Sequence, residues 1–150
     1  MKRILDTAAA AALALLLATA GAAPASAASY EYDRQNACQT AKGRSGCAPG
    51  IVVKHWHKKG VKARGVGWVY ASTEITGKRK AYEARWLYQR PGGRLTAATG
   101  WKRAQRPGAD ATFVEVGWGR DGRTGPQYPV GTKICIEFRD TGKRACVKLR

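Results

Sequence analysis

Acidic residues are scarce in this chain of 150 residues: ten aspartates and glutamates stand against 27 lysines and arginines, a formal net charge of +17. The acids are scattered singly, so the pair of carboxylates that glycoside hydrolysis needs across a cleft is not indicated. Histidine occurs only twice, and no serine has the G-x-S-x-G context of a hydrolase nucleophile. The excess of positive charge instead predicts a partner that carries negative charge.

Long apolar runs are absent beyond the amino terminus. There, Met1-Lys2-Arg3 precedes an Ala- and Leu-rich segment, 8–20, and then Ala25-Ser26-Ala27. This is the order of charged, apolar and small residues in a secretory signal peptide, and the apolar segment is shorter than the about 20 residues of a membrane span. We therefore expect a cleaved signal over 1–27 and a secreted domain over 28–150, with no stable membrane insertion after cleavage.

Removal of the signal takes away two cations and one anion, which lowers the net charge from +17 to +16. A charge of this size on one small domain exceeds what solubility requires. We therefore predict an extracellular protein whose basic surface engages an anionic polymer or an acidic protein.

Four cysteines remain after the signal, and none of their spacings is the C-x2-C pair typical of a zinc site. An even number of cysteines in an oxidising compartment predicts disulfides. Three pairings are possible, and proximity along the chain favours Cys38 with Cys47 and Cys135 with Cys146.

The carboxyl terminus predicts a β-hairpin. Apolar residues alternate with polar ones in 132–138 and again in 144–150, and a turn at Asp140-Thr141 would align the two apolar faces. The same register sets Cys135 opposite Cys146, at the close spacing that a disulfide needs.

The rest of the chain also has strand-like alternation and no sustained helical period. Residues 28–50 indicate an irregular lead-in held by its own disulfide. A second hairpin, with its turn at 90–93, predicts Tyr88 opposite Leu95 and Tyr82 opposite Trp101. Turn signals at regular intervals predict an all-β fold, a single antiparallel β-sandwich of about seven strands, with a small β-barrel as the alternative.

The two histidines, His55 and His57, are the candidate catalytic residues. At positions i and i+2 of a strand they project from one face, which suits metal binding or paired acid-base chemistry. A catalytic metal site needs a third protein ligand, and the spacing of Glu83 or Glu115 does not indicate one. We therefore predict no metal and no cofactor, and interpret the pair as part of an exposed strand edge.

Basic and aromatic residues are interleaved between residues 41 and 73, a segment with no acidic residue. On a regular strand Trp68 would share a face with Lys62 and Arg64. Exposed rings and cations together suit a polyanion, whereas buried tryptophans would be core. The basic clusters 78–80 and 102–106 are expected to flank this surface. The predicted binding residues are Lys54, Trp56, Lys58, Lys59, Lys62, Arg64, Trp68 and Tyr70.

The Ala-rich start, the hairpin 86–93 and the ending 128–146 resemble small secreted proteins of actinobacteria. Those proteins are mostly uncharacterised, so the resemblance implies export and a disulfide-bonded β domain and carries over no catalytic residue. From the sequence we expect a non-enzymatic binding domain. Two alternatives are a secreted hydrolase of an anionic polymer that uses His55 and His57, and an inhibitor or toxin that presents the loop between Cys38 and Cys47.

Overall fold

The computed structural model describes residues 29–40, 46–76 and 81–150, which form ten β-strands and no helix. This part of the chain therefore contains no helix that could cross a membrane. The expected signal segment, 1–27, lies outside the described residues. The strands are β1 (Tyr30–Thr40), β2 (Cys47–Lys58), β3 (Ala63–Glu74), β4 (Tyr82–Gln89), β5 (Thr96–Ala97), β6 (Lys102–Ala104), β7 (Phe113–Gly119), β8 (Gln127–Pro129), β9 (Lys133–Phe138) and β10 (Arg144–Lys148).

The strands form two antiparallel sheets of five strands each. The first has the order β1-β2-β3-β7, with β8 paired to β3, and the second has the order β10-β9-β4-β5, with β6 paired to β4. The inner faces of the two sheets supply one core, in which Val53 and Val69 of the first sheet lie with Ile134 and Ile136 of the second. The predicted all-β sandwich is confirmed, and the alternative of a closed barrel is wrong.

The C-terminal hairpin has the predicted register. Cys135 lies opposite Cys146 and Ile136 lies opposite Ala145, and the disulfide joins the two cysteines with their Cα atoms 4.1 Å apart. The second disulfide links Cys38 of β1 to Cys47 of β2, with a Cα separation of 5.1 Å. Both predicted pairings are present, and two disulfides accord with an extracellular location.

The lead-in 28–50 is not irregular, because its described part contains β1 and the beginning of β2. β1 pairs with β2 from Tyr30 opposite Lys58 to Thr40 opposite Cys47. Backbone pairing with β2 and the disulfide hold this edge strand, although its sequence has little apolar alternation. Local apolar patterning could therefore not predict it.

The turn predicted at 90–93 is present, but the register predicted for its hairpin is wrong. Gly93 N donates to Arg90 O at 2.9 Å, and Gly92 has a φ of +72°, as a tight Pro-Gly turn requires. Tyr88 nevertheless pairs with Thr96 instead of Leu95. The return strand begins one residue later than predicted because Leu95 lies in the loop.

The return strand is also interrupted, so that β5 and β6 are separate. Trp86 N bonds to the side-chain oxygen Oγ1 of Thr99 at 3.2 Å instead of to a backbone carbonyl. Beyond this break β6 resumes with Tyr82 opposite Ala104, not Trp101. This break, the short β8 and the unpredicted β1 explain why ten strands form where about seven were expected.

Candidate functional site

The structure divides the predicted binding residues into three groups. β2 and β3 lie in the middle of the first sheet, and alternate side chains such as Val53 and Val69 are buried in the core. The residues between them point to the outer face, where they are partly exposed. The outer-face group contains Lys54, Trp56, Trp68 and Tyr70. A second, exposed group, at the end of β2 and in the turn that follows it, contains Lys58, Lys59 and Lys62.

Arg64 forms the third group, because a β-bulge reverses the alternation of β3. Lys54 pairs with Trp68, whereas the next residue, His55, pairs with Val66, so Gly67 is an extra residue. The guanidinium of Arg64 donates to the carbonyl oxygen of Arg150 and to two further carbonyls nearby. The prediction that Trp68 shares a face with Lys62 and Arg64 is therefore wrong.

Trp68 is the centre of an aromatic and basic cluster on the outer face. Its ring stacks on that of Tyr70, with 5.4 Å between centroids and 25° between planes. Lys54 Nζ lies 5.1 Å from the centroid of Trp68 and 2.7 Å from Asp121 Oδ2. Lys54 therefore helps to hold the ring, but its charge is already balanced by Asp121.

Trp56 has a structural role on the same face. Its Nε1 donates to Thr124 O at 2.9 Å, and its ring covers Gly65, where an added Cβ would lie 2.2 Å from a ring carbon. Tyr30 contacts the ring edge-on, with 5.9 Å between centroids. These contacts fix Trp56 against the loop that follows β7.

Trp68 and Tyr70 line a cleft of about 460 Å³ together with the basic segment at 102–106. Lys102 Nζ donates to Gly117 O at 2.8 Å, which holds this cation over β7. Arg103 and Arg106 also line the cleft. Both are exposed, and neither forms an ion pair within the described ranges. The prediction that 102–106 flanks the aromatic residues agrees with this placement, whereas 78–80 lies outside the described residues.

The cleft contains one carboxylate, that of Glu115. The Tyr70 hydroxyl donates a hydrogen bond to it. Burial and this hydrogen bond both raise the pKa of Tyr70 above its ordinary value, so the hydroxyl remains a donor at neutral pH. Three cations therefore face one carboxylate that already has a partner.

The segment 102–106 reaches the cleft because the chain crosses there from one sheet to the other. β6 pairs with β4 of the second sheet, and the next residue, Gln105, forms an isolated bridge with Glu115 of β7 in the first sheet. Two backbone hydrogen bonds, of 2.9 and 2.8 Å, close this bridge. Sequence spacing does not indicate such a crossing, so the predicted binding residues do not include Arg103 and Arg106.

The two histidines lie on the inner face of β2, opposite the outer-face group. His55 is 2 % exposed, and the side chain of His57 is 10 % exposed, so the prediction of an exposed strand edge is wrong. Burial lowers the pKa of His55, although the nearby Asp33 carboxylate acts in the opposite direction. His55 is therefore neutral at pH 7 and enclosed, which keeps its ring from touching a polymer in this structure.

Two acids of β1 face the histidines across the strand pair: Glu31 is opposite His57, and Asp33 is opposite His55. Their residue types and their i, i+2 spacing are visible in the sequence. The sequence does not predict strand β1, and without that strand neither acid can be placed beside a histidine. Of the loop between Cys38 and Cys47, on which the inhibitor or toxin alternative depends, residues 41–45 lie outside the described residues.

Comparison with known proteins finds no match, whether among protein-family models, curated proteins or solved structures.

Proposed function

We propose that this protein is a secreted, non-enzymatic binding domain that engages an anionic polymer in the cleft lined by Trp68 and Tyr70. The observation that supports the proposal is the placement of Lys102, Arg103 and Arg106 beside these two stacked rings. Cations attract the charged backbone of such a polymer, and aromatic rings add contact with its sugars or bases.

The charge balance favours this cleft over the arginines of the second sheet that already face a carboxylate. Glu137 is paired with Arg85 and Arg144, and Arg139 is paired with Glu83. These three arginines therefore already have an acidic partner. Arg103 and Arg106 remain exposed and free of an acidic partner among the described residues.

The partner is inferred to be a polymer because exposed cations extend beyond the cleft. Lys58, Lys59 and Lys62 are exposed at one end of the same sheet. A long anion could contact these lysines and the cleft together, and each neutralised phosphate would release a counterion.

Binding at two salt concentrations tests the proposal. Fluorescence anisotropy would follow a labelled single-stranded oligonucleotide and a labelled polyphosphate chain, which has comparable charge and no rings. We expect both to bind at 50 mM NaCl and to bind at least tenfold more weakly at 200 mM, since several phosphate contacts are lost together. Absence of binding to both probes at 50 mM, or affinity that does not change with salt, would refute the proposal.

A further inference from the structure

A cluster of three metal-ligating groups lies between β1 and β2, on the inner face and away from the cleft. Asp33 Oδ2 is 4.0 Å from His55 Nδ1 and 3.8 Å from His57 Nδ1. One ligand atom from each of the three residues lies within 4.8 Å of the other two. Two imidazoles and one carboxylate are the ligand set of many transition-metal sites.

His55 makes this cluster more than a chance grouping of polar side chains. Its side chain is fully buried, yet neither Nδ1 nor Nε2 has a hydrogen-bond partner. A buried polar atom without a partner costs about 1–3 kcal/mol, so its presence requires an explanation. A metal ion bound at Nδ1 would give that nitrogen a partner.

Glu31 sets the orientation of the second imidazole. Its Oε2 lies 2.9 Å from His57 Nε2, so this nitrogen carries a hydrogen and donates a hydrogen bond to the carboxylate. The other nitrogen, Nδ1, then presents a lone pair towards Asp33, and it too is buried without a hydrogen-bond partner. A carboxylate that fixes a ligating histidine in this way is the usual outer partner in histidine metal sites.

Charge and access also suit a cation. Asp33 and Glu31 bring two carboxylates to the cluster, and each side chain is 53 % exposed along the edge strand β1. Arg64 is a nearby positive charge that would repel a bound cation. Its guanidinium, however, donates to backbone carbonyls instead of to the cluster. An ion could therefore enter from solvent at the side of the acids.

We propose that Asp33, His55 and His57 bind a divalent first-row transition-metal ion of the zinc class, with Glu31 as the positioning residue for His57. In a tetrahedral zinc site with ligand bonds near 2.0–2.1 Å, neighbouring ligand atoms are about 3.3 Å apart. The two distances from Asp33 Oδ2, 4.0 and 3.8 Å, exceed this by about 0.5–0.7 Å, and no separation in the cluster, all within 4.8 Å, exceeds it by more than about 1.5 Å. Rotation of the exposed Asp33 and of the His57 ring can close these differences. Water would complete the coordination.

Direct metal titration of the untagged, disulfide-bonded protein, freed of metal by a chelator, tests this site. Zn²⁺ binding would be measured in competition with a chromophoric chelator, and Co²⁺ binding by its visible absorption. We expect one Zn²⁺ per chain, a Co²⁺ spectrum typical of nitrogen and oxygen ligands, and no competition from Mg²⁺, which prefers oxygen ligands.

Three variants identify the ligands without altering the fully buried His55. Asp33→Asn and His57→Gln should each weaken Zn²⁺ binding at least tenfold, and Glu31→Gln about tenfold. Asp110→Asn is the matched control, since it removes an exposed carboxylate outside the cluster, and its affinity for Zn²⁺ should equal that of the wild type. Failure of the wild type to bind one Zn²⁺, or wild-type affinity in Asp33→Asn or in His57→Gln, would overturn the site. Because the cluster and the cleft lie on opposite faces of the sheet, either result leaves the polymer-binding test unaffected.

Discussion

Glu137 Oε1 lies 2.6 Å from Arg144 Nη2, across the C-terminal hairpin in which these two residues are direct partners. Arg85 contacts the other carboxylate oxygen at 2.7 Å from the neighbouring strand β4. Burial alone would raise the pKa of Glu137, but the hydrogen bonds from Arg85 and Arg144 outweigh it and hold the pKa below its ordinary value. One carboxylate thus joins three strands of the second sheet.

The first prediction concerns stability and pH at Glu137. Its pKa is lower in the folded state than in the unfolded state, so its stabilising contribution is present above the unfolded pKa, about 4.5, and is lost as pH falls through the folded value. Glu137→Gln should lower the free energy of unfolding by about 2 kcal/mol at pH 7. The loss relative to wild type should shrink below pH 4. Urea unfolding at pH 7, 5 and 3 measures both effects.

Glu83→Gln is the matched control for that experiment. Its partner Arg139 lies at a similar distance, 2.8 Å, but both side chains are exposed. Glu83→Gln should therefore lower the free energy of unfolding by no more than about 0.5 kcal/mol. Equal losses in the two variants would contradict the role given to Glu137.

The second prediction concerns the contact between Trp56 and Gly65. Gly65→Ala would place a Cβ only 2.2 Å from the indole ring, so the ring must leave its position and its hydrogen bond to Thr124. We expect the free energy of unfolding to fall by about 1–3 kcal/mol, measured by chemical unfolding, and the tryptophan fluorescence to change.

Gly108→Ala tests whether any glycine replacement would do the same. No atom lies within 4 Å of a Cβ built at Gly108, so the free energy of unfolding of this variant should lie within about 0.5 kcal/mol of that of the wild type. An unchanged stability of Gly65→Ala would show that Trp56 does not pack as described.

The third prediction separates the contribution of the rings from that of charge. Trp68→Ala should weaken binding of the single-stranded oligonucleotide by about 1–3 kcal/mol, because stacking on an aromatic ring is lost. Binding of polyphosphate should change much less, since it has no rings to stack. Fluorescence anisotropy with both probes measures the difference.

Tyr32→Ala serves as the control for Trp68→Ala, since Tyr32 is an exposed ring, 60 % accessible, on the edge strand β1 of the same sheet. It should leave both affinities unchanged. If Trp68→Ala weakens the two probes equally, the ring acts only by shaping the surface, and the stacking part of the account is wrong.

The fold could be predicted where neighbouring residues carry the information. The C-terminal hairpin is such a case, because apolar alternation and Cys135 opposite Cys146 require the same register. Prediction failed where pairing depends on distant partners. β1 is held by β2 and has little apolar pattern of its own, and Thr99 breaks the ladder by a side-chain bond to Trp86.

The candidate site was predictable only in part, for similar reasons. Lys54, Trp56, Trp68 and Tyr70 do lie on one outer face, but the bulge at Gly67 removes Arg64 from it, and a bulge is set by pairing instead of by composition. Arg103 and Arg106 join the cleft through the crossing at Gln105. These placements depend on the tertiary structure.

The most direct test of the central claim compares two double variants that remove the same charge. Arg103→Ala with Arg106→Ala removes two cations from the cleft, whereas Arg94→Ala with Lys143→Ala removes two exposed cations elsewhere. At 50 mM NaCl we predict that the cleft variant binds the oligonucleotide at least tenfold more weakly, with a smaller dependence on salt. The second double variant should bind the oligonucleotide less than threefold more weakly than the wild type. Equal losses in the two variants would show that binding follows net charge alone and would contradict a polymer site at the cleft.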